Sequence, residues 1–162
     1  MTSNSEVLAI VRASPGRRML GVGAMAVLGF LSVYVAMARP PDAVVWQAFL
    51  ILIGGLSLWL AEAMRRATAL AVELTREGLR TSDGEVIAPL DQIEALDRGI
   101  FAFKPSNGFL IKLKKKAPAR WQPGLWWRFG KRIGVGGVTP GAQSRAMADI
   151  VTALIRGEIS VD

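Results

Sequence analysis

The sequence predicts a membrane α+β protein: a two-helix transmembrane hairpin followed by a small antiparallel β-domain closed by a C-terminal helix. Three observations carry that prediction. Hydrophobic residues make up 51% of the 162, yet 20 Lys and Arg face 13 Asp and Glu, a formal charge of +7. Oiliness and charge are segregated along the chain, since residues 19–38 and 44–61 hold no charged side chain and 16 of the 20 basic residues follow Met64. Beyond Met64 the apolar period falls to two and becomes helical again only near the C-terminus, the mark of strands followed by one helix. The chain also has no Cys and no His, which removes disulfides, thiolate catalysis, the usual proton shuttle and the commonest metal ligand. No enzyme activity, cofactor, metal or small-molecule substrate is expected.

Residues 1–14 read as an N-terminal cytoplasmic or interfacial segment. Ser3-Asn4-Ser5-Glu6 fits a capping box ahead of Val7, Leu8, Ile10 and Val11, predicting a short interfacial helix over about residues 4–13 or a frayed tail. Residues 15–66 form the hairpin. Its first span, about 19–38, is twenty uncharged residues, which as a helix covers roughly the 30 Å of a bilayer's hydrocarbon core. Ser14-Pro15 reads as N-cap and first helical residue, with Arg17 and Arg18 at the headgroups. The second span runs over about 44–64 and leads into Arg65 and Arg66. Only Arg39-Pro40-Pro41-Asp42-Ala43 lies between, so the spans should be tightly antiparallel.

Basic residues flank the outer ends of the two spans, and Arg39 alone sits between them. The positive-inside rule therefore puts both termini of this two-pass chain in the cytoplasm. Tyr34 and Trp46 fall at the far interface and Trp59 at the near one, as interfacial anchors with Arg17, Arg18, Arg65 and Arg66. Gly21, Gly23, Gly29, Ser32 and Ala36, with Gly54, Gly55, Ser57 and Ala61, offer close helix packing. Gln47 is expected to reach headgroups. Ala36-Met37-Ala38 has the form of a secretory cleavage site, but the apolar run exceeds a signal peptide's roughly 7–15 residues and reads as a span.

Residues 67–162 form the cytoplasmic domain, enough for one small core. Leu70, Val72 and Leu74 alternate with polar or small residues in a half-buried strand, turns at Glu77-Gly78 and Ser82-Asp83-Gly84 lie on either side of Leu79-Arg80-Thr81, and Glu85-Val86-Ile87-Ala88 reads as the returning strand. Pro89 to Asp97 reads as a turn or short helix. Strands follow at Ile100–Phe103, Phe109–Lys114, Leu125–Phe129 and Lys131–Val135, with residues 115–124 as a loop. Thr139-Pro140 opens a last helix whose Met147, Ile150, Val151, Leu154 and Ile155 make one apolar face.

Strand order plus a closing helix resembles the pleckstrin-homology-like (PH-like) β-barrel. VELTREGLRTSDGEVIAPLDQIEAL and GKRIGVGGVTPGAQSRAMADIVTALI carry the likeness to small bacterial integral membrane proteins with two N-terminal spans and a cytoplasmic PH-like domain, over about residues 15–156. The resemblance implies a barrel, a place in the cell inner membrane and no particular activity. Phosphoinositide-binding PH domains use a basic first hairpin, whereas this one carries Arg80 with Asp83 and Glu85.

Between Arg98 and Ala148 lie eleven basic residues and no acidic one. Lys112, Lys114, Lys115, Lys116, Arg120, Trp121, Trp126, Arg128, Lys131 and Arg132 are the candidate surface for anionic lipid or a partner, Trp beside Lys and Arg being a composition suited to headgroups. The competing reading makes Trp127 core and the lysines a solvated strand edge. Nucleic acid is not expected beside a membrane tether. Gly134 to Gly141 lacks the residues of a phosphate loop and reads as a strand-to-helix turn. Asp91, Glu94 and Asp97 would share one side of a short helix, a solvated face. These features predict a non-catalytic accessory, assembly or scaffolding subunit of a larger membrane complex, partnered by a membrane protein or a second copy of itself, or else a module that binds anionic lipid.

Overall fold

The computed structural model describes residues 6–97 and 105–157. The chain begins with a strand, β1 (Val7–Arg12), and then enters two helices, α1 (Pro15–Ala38) and α2 (Val44–Ala67). Each has 24 residues, about 36 Å at 1.5 Å per residue. Both are long and apolar enough to cross a membrane. Pro15 occupies the first turn of α1 as expected, but Ser14 makes no side-chain cap and its backbone N–H instead donates to the Val138 carbonyl at 2.8 Å.

The helices pack through small residues. Gly29, Ser32 and Ala36 of α1 and Gly54, Ser57 and Ala61 of α2 are the buried positions within the two apolar stretches. At the crossing a Cβ on Gly54 would lie 2.6 Å from Val33 Cγ2 and 3.0 Å from the Gly29 carbonyl, and one on Gly29 would meet Leu58 Cγ at 2.6 Å. Only glycine permits that approach. Gly23 and Gly55, included in the expected set, face open space. Gln47 also differs from expectation: its Nε2 donates to the Ala36 carbonyl at 3.0 Å, tying the helices together near their link. An amide amid apolar side chains is stabilised by a backbone acceptor within reach. Of the apparent cleavage motif, Ala36 is fully buried and Met37 and Ala38 are exposed, all three within α1.

The helix expected over residues 4–13 is not formed in its described part. Val7–Arg12 is a strand that pairs antiparallel with β2 (Ala71–Thr75), in the register Val11 with Val72 and Arg12 with Ala71. Val11 is completely buried in the domain core. Burial and a ladder of backbone bonds outweigh the local capping signal. The helical hairpin is thus an insertion between two paired strands, and residues 7–12 belong to the same folded body as residues 71–97 and 105–157.

From β2 the chain continues through β3 (Gly78–Thr81) and β4 (Val86–Pro89), giving a four-stranded sheet ordered β1-β2-β3-β4. Pro89 ends the pairing, since it has no N–H to donate. A 3-10 turn at Leu90–Gln92 then carries the chain into β5 (Ile93–Asp97), which with β6 (Phe109–Gln122) and β7 (Trp126–Val135) forms a second antiparallel sheet. Among the described residues the strands form these two sheets and no closed barrel. The last helix, α3 (Gly141–Arg156), lies against β1 and β5, and Gln143 Oε1 accepts the backbone N–H of Arg12 at 3.1 Å. The helix thus touches an edge strand of each sheet among the described residues.

Both sheets and α3 share one apolar core, in which Leu74, Ile87, Ile111, Leu125, Trp126, Ile133, Met147 and Val151 are almost inaccessible. The apolar face expected for α3 is present, with Ile150 and Ile155 at its margin. Thr139 does not cap α3: it is fully buried and its hydroxyl lies 3.3 Å from that of Ser144. Gly157, at φ +68, ends the helix in the left-handed conformation that glycine adopts without strain. The strand expected at Ile100–Phe103 lies outside the described residues.

Candidate interaction surface

Residues 115–124, expected as a loop, largely extend β6, so that β6 and β7 form one long hairpin, and the two strands expected at Leu125–Phe129 and Lys131–Val135 are one, Trp126–Val135. The ribbon is sharply irregular. Lys112 is opposite Arg132 and Ala117 is opposite Gly130, so residues 113–116 face a single β7 residue, Lys131, and a further shift follows between Ala117 and Arg120. Gly130 bends the other strand at φ +59. These bulges accommodate Pro118 and project Lys115 and Lys116 outward.

The bend folds the ribbon back on itself. At its tip, the Leu125 carbonyl accepts the Gly136 N–H at 2.8 Å and the Gly124 carbonyl accepts the Val138 N–H at 3.0 Å. Gly134 leaves room for the Trp127 ring, which a Cβ there would meet at 2.4 Å. The tip also seats the helical hairpin: a Cβ on Gly124 would lie 3.0 Å from Met64 Cε and 3.2 Å from Thr68 Cγ2, and Met64 also covers Gly21. Arg17 Nη1 donates to the Thr139 carbonyl at 3.1 Å and Arg18 Nη2 to the Arg65 carbonyl at 3.1 Å. Arg65 and Arg66 both reach Glu62, at 2.7 and 2.6 Å. Four of the expected anchors therefore make hydrogen bonds at the helix base, with Arg17 and Arg18 holding it together. Tyr34, Trp46 and Trp59 point outward from the helices.

The bend separates the predicted basic and aromatic surface into parts. Trp121 lies opposite Trp127 beside the tip and is 49% exposed. Phe129, 54% exposed, packs obliquely on Trp127 at 5.7 Å. Trp126 is not a surface residue at all, being 1% exposed within the core. Arg128 is likewise structural: its Nε donates to the Pro118 carbonyl at 2.9 Å and its Nη1 to those of Ile87 and Val86 at 2.7 and 3.2 Å, while its guanidinium lies 5.7 Å from the Trp126 ring centroid. It joins β7 to β4 across the two sheets. Arg120 pairs with Glu85 at 2.8 Å, which raises its pKa through that hydrogen bond and the charge of Glu85. The burial of Trp126 had a signal in the sequence, since it sits two residues past Gly124 and beside Leu125; the role of Arg128 had none.

The remaining cations lie at the other end of the domain. Lys114 Nζ donates to the Asp91 carbonyl at 2.7 Å, next to Leu90, whose N–H meets the Glu77 carbonyl in the turn at the far end of β2 from the helices. Lys112 pairs with Glu94 at 2.8 Å. The carboxyl of Glu94 is held below its ordinary value by that hydrogen bond first, and also by the charges of Lys112, Lys131 and Lys114. Lys115, Lys116, Lys131 and Arg132 are exposed and make no ion pair among the described residues. Asp91, Glu94 and Asp97 do not share a helical face, because the 3-10 turn holds Asp91 and β5 holds the other two. In the first hairpin Arg80 is opposite Glu73 and bonded to it at 3.1 Å, and Asp83 accepts from the Thr81 hydroxyl. Its remaining acid, Glu85, pairs with Arg120 of β6.

No family model, curated protein or solved structure matches this chain.

Proposed function

We propose that the protein is a non-catalytic inner-membrane subunit that positions a small basic domain against a larger membrane complex. The hairpin crosses the bilayer, and the sheet domain lies on the cytoplasmic side. The observation that carries this reading is the surface of the hairpin. Only 17% of the residues in either apolar stretch are buried within the chain, and Met19, Leu20, Phe30, Leu52 and Leu56 all face outward. A soluble protein's core helices would bury such side chains, whereas lipid or partner helices cover them favourably. The clamp between β1 and β2 supports a scaffolding role, because an anchor built into the sheet fixes the domain's orientation rather than tethering it loosely. Positive-inside bias supports the cytoplasmic side. The kinship with two-span PH-like proteins belongs to the same proposal, supported by the order of two apolar helices, antiparallel strands and a closing amphipathic helix.

A second reading, binding of anionic lipid, is favoured by Trp121, an exposed ring beside the tip that seats the helix base. Mild-detergent extraction of tagged full-length protein from its native membrane separates the two. The accessory reading expects a membrane protein at stoichiometric ratio. Recovery of the chain alone with bound anionic lipid would overturn it in favour of the lipid module.

A further inference from the structure

The folded β6–β7 ribbon sends its lysines away from the helix base, whereas a lipid-binding surface would have to face the same way as the hairpin. From the geometry we infer that Lys115, Lys116, Lys131 and Arg132 form a docking surface for an acidic, carboxylate-rich protein segment on the membrane-distal side of the domain. The inference rests on the accessory-subunit reading and specifies the chemistry of one of its partners.

Three features support it. First, position: Lys114 is bonded to Asp91 at the end of the domain reached through β2, whereas Gly124 and Trp121 return to the end that touches Met64 and Thr68. Lys115 and Lys116 follow Lys114 directly on the bulge. Second, charge: Lys112 and Arg132 are cross-strand neighbours of like sign, an arrangement that destabilises an isolated sheet. Within this group Glu94 is the acid bonded to a cation, and it serves Lys112. An external carboxylate would relieve the repulsion. Third, geometry: a bulge of four residues against one presents neighbouring ammonium groups without a regular strand edge, so recognition proceeds by charge rather than by strand addition. Exposed pairs of this kind contribute little individually and are screened by salt, which suits a reversible contact.

The test uses the full chain reconstituted in nanodiscs of zwitterionic lipid, with a fluorescein-labelled oligoglutamate peptide as probe and anisotropy as readout. The expected result is saturable binding that weakens as salt rises. The K115E/K116E variant should lose at least about tenfold in affinity, while R12E/R145E, with the same change of charge elsewhere, loses far less. Equal losses in the two variants, or no binding at low salt, would overturn the inference. Tighter binding of a single-stranded oligonucleotide through the same lysines would also overturn it. In a second arm, anionic lipid replaces part of the zwitterionic lipid, and acylation rates at Lys115 and Lys116 are read by mass spectrometry. They should not change, and protection by anionic lipid would place these lysines at the bilayer and refute the assignment. If oligoglutamate binding fails while a stoichiometric membrane partner still copurifies, the docking surface falls and the accessory reading stands. If the reverse holds, the accessory reading falls on its own.

Discussion

Replacing Arg128 should weaken the join between the two sheets more than any other change of a surface cation. Its Nη1 is shared between the Val86 and Ile87 carbonyls and its Nε serves Pro118, so it makes two effective charge-assisted contacts. Such bonds contribute about 1.5–3 kcal/mol each when well shielded. The side chain is half-buried, which reduces each to about 1 kcal/mol. The guanidinium over Trp126 adds about 0.5–1 kcal/mol. Arg128→Ala should therefore cost about 2–3 kcal/mol, lowering the domain's Tm by roughly 8–24 °C for a unit of this size. Arg128→Lys keeps a cation but has one nitrogen for acceptors on two strands, and should recover less than half of the loss. Thermal unfolding of the full chain in detergent, followed by near-UV circular dichroism, measures the effect, with Arg132→Ala as an exposed reference expected to stay within about 0.5 kcal/mol of the parent. If Arg128→Ala melts where Arg132→Ala does, Arg128 is not the sheet-to-sheet link.

Three further outcomes follow from the same geometry. Gly54→Val drives a side chain into Val33 and the Gly29 backbone and should destabilise the helical hairpin by about 1–3 kcal/mol, while Gly55→Val, which meets nothing, should be nearly neutral; thermal aggregation in detergent distinguishes them. Gly134→Ala should push Trp127 off its seat, seen as a red shift in tryptophan emission that is absent when Trp127 is first replaced by Phe. The Asp83 carboxyl is held below its ordinary value of 3.8, chiefly by the Thr81 hydroxyl. Because the folded value is the lower one, its stabilisation is complete above that ordinary pKa and disappears as pH falls through the lowered value. Asp83→Asn should flatten that part of the Tm-against-pH curve, and an unchanged curve would show that the bond contributes nothing.

The membrane-length helices and β2, β3 and β4 were legible because their signals are local: unbroken apolar runs, alternation, and turns at glycine. β1 was not, because its partner lies some sixty residues away across the helical hairpin, and Ser3-Asn4-Ser5-Glu6 gave a competing local signal. The β6–β7 ribbon was misread for a related reason. Pro118 and the lysine run look like a loop, and only the opposite strand's bend at Gly130 shows how a bulge absorbs them. The candidate surface inherited that error. Eleven basic residues close in sequence looked like one face, but folding the ribbon in half sends Trp121 to the helix base and Lys115 and Lys116 to the other end. Arg128 was assigned to the surface because an arginine's backbone acceptors on another sheet leave no trace in the sequence.

The central claim, that two helices cross the bilayer and return the chain to a sheet begun before them, can be tested by site-specific labelling, since the natural chain has no cysteine to interfere. Single cysteines at Glu6, Asp42 and Lys116 would be probed with a membrane-impermeant maleimide before and after permeabilisation of the inner membrane. The account predicts that Asp42→Cys is labelled from outside, and that Glu6→Cys and Lys116→Cys are both labelled only after permeabilisation. Labelling of Asp42→Cys and Lys116→Cys from the same side would contradict it.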